Sequence, residues 1–180
     1  MQYFLGIVPP NEYKEQIIRF QNRWSSNRIL DVVEPHVTVK AQGGLNQDMV
    51  WMDKIKEVCS SFSPFQLSLS ETASFGNSVV YISVQSNMIF ELHRRLVEAV
   101  MPSQELIERY FELDNYAPHL TLGQTYWGMN ETELEAMKFD SSKALSPFPT
   151  FTVTRVRVYK EVEPDKYVPY EDIRLDEYES

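Results

Sequence analysis

A five-residue pattern occurs twice in this chain: Pro-His-Val-Thr-Val at 35–39 and Pro-His-Leu-Thr-Leu at 118–122. His36 and His119 are 83 residues apart, and so are Pro64-Phe65 and Pro147-Phe148, the pairs that open the last strand of each half. Equal spacing across a helix and two loops marks an internal duplication, and a duplication restricts the fold more than any composition does. Each half reads as strand, helix, histidine strand, helix, strand. The expected fold class is α+β, with two duplicated lobes, each an antiparallel sheet carrying helices on its outer face, and an active-site cleft between the lobes. Repeat 1 would span about 1–75, repeat 2 about 76–160, and a C-terminal hairpin and acidic tail 161–180, all within one bilobed domain.

Hydrophobic periodicity places the elements. Residues 2–8 form a short apolar run stopped by Pro9-Pro10, as a buried strand would be. Asn11 is expected to cap a helix over about 12–24, with Tyr13, Ile17, Phe20 and Trp24 on one face. Residues 32–40 alternate, with Val37 and Val39 inward and His36, Thr38 and Lys40 on the opposite face. Helices are expected over about 47–61 and 88–100, the second capped by Ser86 or Asn87. FQLSLSE after Pro64 and SVVYISV at 78–84 read as strands, and the Pro102 segment has no clear period. In 116–123, Leu120 and Leu122 face one way and His119, Thr121 and Gly123 the other. A capping box of Thr132 and Glu135 opens the last helix, a long strand follows Pro147, and Pro164-Asp165 turns a hairpin.

Composition excludes several classes. Seventeen Lys+Arg against 26 Asp+Glu give a net charge of −9, which argues against extended, sequence-independent nucleic-acid binding. The chain has a single cysteine, so neither an internal disulfide nor a cysteine-built zinc site is expected. The N-terminus reads as a first strand rather than a signal peptide, and no apolar run is long enough to span a membrane, so a cytoplasmic address is the default. No glycine-rich phosphate loop is present.

One His-x-Thr is weak evidence, since an exposed strand face explains it equally well. A second copy with matching Pro and apolar neighbours would arise by chance roughly once in a few thousand trials. Histidine and threonine at i and i+2 project side by side from one strand face. The imidazole moves a proton near neutral pH, and the hydroxyl donates to a phosphoryl oxygen. Two such strands would set His36 and His119 on opposite sides of one phosphate, as base and acid, with Thr38 and Thr121 steadying its oxygens. That chemistry requires no metal and no cofactor.

The paired motifs, about 80 residues apart in a chain of this size, resemble the two-histidine (2H) phosphoesterase superfamily, in particular its bacterial 2′-5′ RNA ligase-like branch. The resemblance covers residues 1 to about 160. It implies metal-independent action on 2′,3′-cyclic phosphates or 2′-5′ linkages of nucleotides or RNA ends, hydrolysis more than ligation. It also implies that His36 and His119 are the catalytic pair and that Thr38 and Thr121 bind phosphate.

Further candidates carry two readings each. Lys40 shares the expected face of His36 and would reach a phosphate, or is a solvated strand end. Arg155 and Arg157 would line the cleft with Tyr159, or mark an exposed edge. Tyr126 and Trp127 would stack on a base, or pack a loop. His93 is expected to be a surface or half-buried helix residue without a threonine partner, and Cys59 a buried structural thiol. Two other functions compete with the phosphoesterase: a non-catalytic nucleotide- or RNA-end-binding module using the same cleft, and a metal hydrolase. Threonine rather than carboxylate beside each histidine weakens the metal reading; Glu34 flanks the first motif, but Ala117 stands at the matching place in the second.

Overall fold

The computed structural model describes residues 1–176. The expected α+β class is observed, but the two sheets are one. The strands are β1 (Tyr3–Ile7), β2 (Val37–Lys40), β3 (Phe65–Phe75), β4 (Val79–Gln85), β5 (His119–Gln124), β6 (Thr150–Val153), β7 (Arg155–Glu163) and β8 (Lys166–Arg174). They form a single antiparallel sheet in the order β6-β3-β4-β5-β2-β1-β7-β8. The seam between its halves is the two histidine strands, joined at Val37↔Leu120. No helix among the described residues is long and apolar enough to cross a membrane.

The sequence repeats are not the spatial halves. β3 belongs to the first repeat, yet it pairs with β4 and β6 of the second. Symmetrically, β7 comes from the second repeat and pairs with β1, Tyr3 facing Lys160. The helices cross over too. α1 (Asn11–Gln21) packs on α6 (Glu131–Leu145) and β5, where the Tyr13 hydroxyl donates to the Leu145 carbonyl at 2.7 Å. α4 (Asn87–Val100) packs on α3 (Trp51–Ser60) and β2. Each half of the sheet is therefore completed by elements from the other repeat. Thr154 alone separates β6 from β7, so one stretch of chain runs from one end of the sheet to its opposite half.

Local boundaries differ from the sequence expectation at the caps. Pro10, not Asn11, stands at the N-cap of α1, and Trp24 lies beyond the end of that helix. Asn130 and Glu133, rather than Thr132 and Glu135, make the capping box of α6. Ser86 occupies the N-cap of α4 without a side-chain bond to the helix. The stretch 32–36 is no strand: a short α2 (Ile29–Val32) ends there and β2 starts at Val37. Gln104–Arg109 forms α5, capped by Ser103 in the Pro102 segment. The hairpin at Pro164-Asp165 joins β7 to β8, whereas residues 177–180 of the acidic tail lie outside the described residues.

The core lies beneath the face of the sheet opposite the histidines. Val37, Val39, Leu120 and Leu122 point into it and meet Ile89, Leu92 and Leu96 of α4 or Leu134 and Met137 of α6 in one cluster. Cys59 is buried there, and burial pushes its thiol up to about 12, so it is the structural residue expected.

Candidate active site

Both histidine strands carry a β-bulge at the same place. Gly6 faces Thr38 while the adjacent Leu5 faces Lys40, which leaves Val39 as the extra residue. In the other half Tyr81 faces Thr121 and Val80 faces Gly123, leaving Leu122 extra. A bulge interrupts alternation and re-aims the side chains beyond it. Residues 36–41 and 119–124 accordingly share one burial pattern: half-buried, buried, half-buried, buried, buried, half-buried. His36 and Thr38 lie on the open face, as do His119 and Thr121. The fifth residue, Lys40 or Gly123, turns inward. The sixth, Ala41 or Gln124, returns to the site.

That bulge corrects the expectation for Lys40. Its side chain is 0% exposed, and its ammonium donates to the carbonyls of Ala41 and Gly43 and to Glu112 Oε1, all at 2.7–2.8 Å. Gly123 in the same position turns toward Met129 and Met137 of the core. Lys40 thus braces the strand end and does not line the site.

Extending the pairing Val37↔Leu120 sets His36 across from Thr121 and Thr38 across from His119. The histidines are then diagonal neighbours on one face, roughly 7–8 Å apart in an ordinary antiparallel pair. Two cavities open over this seam. One, about 430 Å³, reaches His119 and is walled by Phe75, Phe111 and Tyr116; the other, about 280 Å³, reaches His36 and is walled by Val33, Trp127 and Tyr167. Thr38, Thr121 and Gln124 line both. Gln124 was missed in the sequence because strict alternation puts it on the core side.

Hydrogen bonding fixes the same tautomer at each ring. His36 Nδ1 lies 2.8 Å from the Glu34 carbonyl and His119 Nδ1 2.6 Å from the Ala117 carbonyl. A carbonyl only accepts, so Nδ1 carries the hydrogen and Nε2 presents a lone pair. Thr38 donates to His36 Nε2 at 3.1 Å, whereas His119 Nε2 has no protein partner among the described residues. Burial pushes His36 down to about 4; the Glu34 carbonyl opposes that shift and the nearness of His119 adds to it. Burial also lowers His119, against the Ala117 carbonyl. Both are neutral in the free protein at neutral pH.

Each imidazole rests on a stacked aromatic pair. Phe4 and Tyr159 stack at 4.7 Å and lie 5.0 and 5.4 Å from the His36 ring. Phe75 and Tyr81 stack at 4.3 Å and lie 5.0 and 5.3 Å from His119. Gly6 gives His36 its room, since a Cβ there would meet the imidazole at 3.2 Å and Tyr159 at 3.1 Å. Phe4 and Tyr159 come together only through the β1–β7 pairing, whereas Phe75 and Tyr81 sit on the two arms of the β3–β4 hairpin.

Of the remaining candidates, Arg157 is held between Glu34 and Asp172 at 2.6–2.8 Å, and Tyr159 donates to the same Glu34. The three residues clamp the segment whose carbonyl orients His36, and Arg157 lines a different, smaller cavity with Arg155. Arg155 is exposed and lies 3.5 Å from Asp172. Tyr126 is 72% exposed and lines neither histidine cavity, whereas its neighbour Trp127 does. Among the described residues no three His, Cys, Asp or Glu side chains gather closely enough to hold a metal ion.

His93 is buried, contrary to expectation. Its Nδ1–H donates to the Val39 carbonyl at 2.7 Å, its Nε2 accepts from the Leu113 amide at 2.9 Å, and its ring stacks on Tyr116 at 3.8 Å. Tyr116 in turn donates to the Thr38 carbonyl at 2.8 Å, so this pair ties segment 110–116 to β2. Burial lowers His93 to about 4, with the Val39 carbonyl opposing and nearby Lys40 adding to the shift. A pKa depressed on folding stabilises the fold above the unfolded value near 6.5, and that stability is lost as pH falls toward 4. Denaturant titrations should show a loss on the order of 1–3 kcal/mol between pH 6.5 and 4. His93→Gln should reduce that dependence by the His93 share and leave the part due to His36 and His119, and an unaltered profile would contradict this account of His93.

Comparison with known proteins points the same way. The family model described as the 2′-5′ RNA ligase superfamily matches residues 9–165. An RNA 2′,3′-cyclic phosphodiesterase of Methanocaldococcus jannaschii is 26% identical over 169 residues, covering 89% of this chain and 91% of that protein. The structure of TT0787 from Thermus thermophilus aligns with a TM-score of 0.68 at 15% identity, over 99% of this chain and 100% of that one. E. coli LigT complexed with 3′-AMP aligns at 0.61 and 18% identity, over 98% of both chains.

Proposed function

Because the chain belongs to the 2′-5′ RNA ligase superfamily, we propose that it opens 2′,3′-cyclic phosphates at RNA or nucleotide ends, by acid-base catalysis between His36 and His119. Hydrolysis of 2′-5′ linked ends is the related diester reaction open to the same site. The observation that carries this reading is the pair of Nε2 lone pairs beside Thr38 and Thr121 on one strand seam. One imidazole takes a proton from water as the water oxygen bonds to phosphorus. The bond from phosphorus to a ribose oxygen breaks, and that oxygen receives its proton from the other imidazole, which has taken one up at Nε2 from solvent as the anionic substrate bound beside it. Thr38 and Thr121 donate to the non-bridging oxygens as negative charge gathers there. Phe75, Phe111 and Tyr116 around the larger cavity offer aromatic surface for the terminal base. The relative from Methanocaldococcus jannaschii supports the substrate class, and 3′-AMP in E. coli LigT fits a nucleotide-sized cleft.

The test is turnover of a panel of 2′,3′-cyclic nucleotides after exhaustive chelation. Undiminished hydrolysis to a phosphomonoester is expected, with a rate that rises and then falls with pH. The two apparent constants belong to the coupled pair rather than to either histidine. Loss of turnover on chelation, restored by one divalent ion, would move the reaction to metal chemistry. Nucleotide binding without turnover would leave a binding module.

A further inference from the structure

We propose that this site discriminates by charge state, accepting the singly charged phosphodiester and rejecting the doubly charged phosphate monoester, because its only counter-charge is a proton taken up by the histidine pair. The inference rests on the phosphoesterase reading above and deepens its substrate class. The chain has 17 lysines and arginines, all among the described residues, and none lines either cavity over the seam. Two that share the neighbourhood of the histidine strands are engaged elsewhere. The bulge at Val39 turns Lys40 onto Glu112, and Arg157 is held between Glu34 and Asp172.

What remains to meet a phosphate is neutral. Thr38, Thr121 and Gln124 line both cavities, and the Gln124 side chain makes no hydrogen bond within the described chain. The other titratable groups around His36 are the Tyr159 and Tyr167 hydroxyls, the clamped Glu34 and the Asp165 carboxylate on the cavity wall. Around His119 they are Tyr81, Tyr110, Tyr116, neutral His93 and the Lys40–Glu112 pair, whose charges offset each other. No permanent positive charge faces the anion. Protonation of an imidazole must supply it, and an arriving anion favours that protonation.

A phosphodiester carries one charge at every working pH, and one protonated imidazole balances it. A monoester gains its second charge near pH 6, and burial, which lowers both histidines, leaves no second proton at hand to balance it. Substrate diester and product monoester thereby part company above neutrality, and the product leaves without a cation to hold it.

The experiment compares two ligands that the protein cannot turn over by cyclisation: 2′-deoxyadenosine 3′-monophosphate and its methyl ester. Dissociation constants are measured by calorimetry on the full chain at pH 5.5 and 8. The two should bind within about threefold of each other at pH 5.5, and the monoester should be at least tenfold weaker at pH 8. Gln124→Arg adds a fixed positive charge where the cavities meet and should narrow the gap at pH 8 to threefold or less. A monoester that binds the wild type at pH 8 as tightly as the diester overturns the proposal, as does a gap unchanged by Gln124→Arg. Binding of neither ligand at pH 5.5 overturns it together with the phosphate site itself. Turnover is assayed separately on 2′,3′-cyclic AMP, so a protein that shows the charge selectivity without hydrolysis loses the reaction and keeps this inference.

Discussion

Replacing either His36 or His119 with alanine should lower turnover of a 2′,3′-cyclic nucleotide by about a hundredfold or more, the range for removing one general acid or base. The two rings share one tautomer and present Nε2 over one seam, so neither substitution should be mild. The double variant should be little worse than the worse single one, since residues acting in one step do not lose activity additively. Thr38→Val and Thr121→Val each remove one neutral donor and should cost less. Full activity in either single alanine variant would refute the two-histidine scheme. Stability of the variants, followed by thermal melting, separates lost chemistry from lost fold.

The second large effect is on stability, and its site is Lys40. Lys40 and Glu112 are 0% and 1% exposed, and burial lowers the lysine and raises the glutamate from their ordinary values. Glu112 also accepts from the Ala41 amide at 3.1 Å, and its Oε2 has no hydrogen-bond partner among the described residues. Lys40→Met would strand a buried carboxylate, at a cost of about 3–5 kcal/mol. For a chain of this size that is a fall in Tm of roughly 6–20 °C. The double variant Lys40→Met/Glu112→Leu should recover most of the loss, because a packed apolar pair often matches a buried ion pair. Were Lys40 a phosphate ligand instead, Lys40→Met would raise KM and leave the melting temperature nearly unchanged.

The contrast between Lys40 and His36 shows what the sequence held and what it did not. Period-two alternation placed His36, Thr38, His119 and Thr121 on the correct face because all four precede the bulge. It misplaced Lys40 and overlooked Gln124 because both lie beyond it. A bulge is set by pairing with a strand distant in sequence, so neither motif announces it. The duplication was visible in the 83-residue spacing, but the exchange of β3, β7, α1 and α4 between halves was not. Spacing reports descent from a common unit, whereas partner choice depends on which edges and faces bury one another. The aromatic pair beneath His36 was hidden for the same reason, since Phe4 and Tyr159 meet only after β1 finds β7.

That pairing also dictates an order of events during synthesis. β1 is buried along its whole length in the finished sheet, yet one of its two neighbours lies at Arg155–Glu163. At ordinary elongation rates about ten to thirty seconds pass between the appearance of Tyr3 and that of its partner Lys160. For that interval the nascent chain carries an apolar strand with an unfilled edge, and β3 likewise waits for β6. The first repeat holds no complete half of the sheet to close while it hangs from the ribosome, so closure waits until β6 and β7 have emerged. A ribosome stalled near residue 100 would therefore display β1 and β3 with unfilled edges rather than a closed half of the sheet.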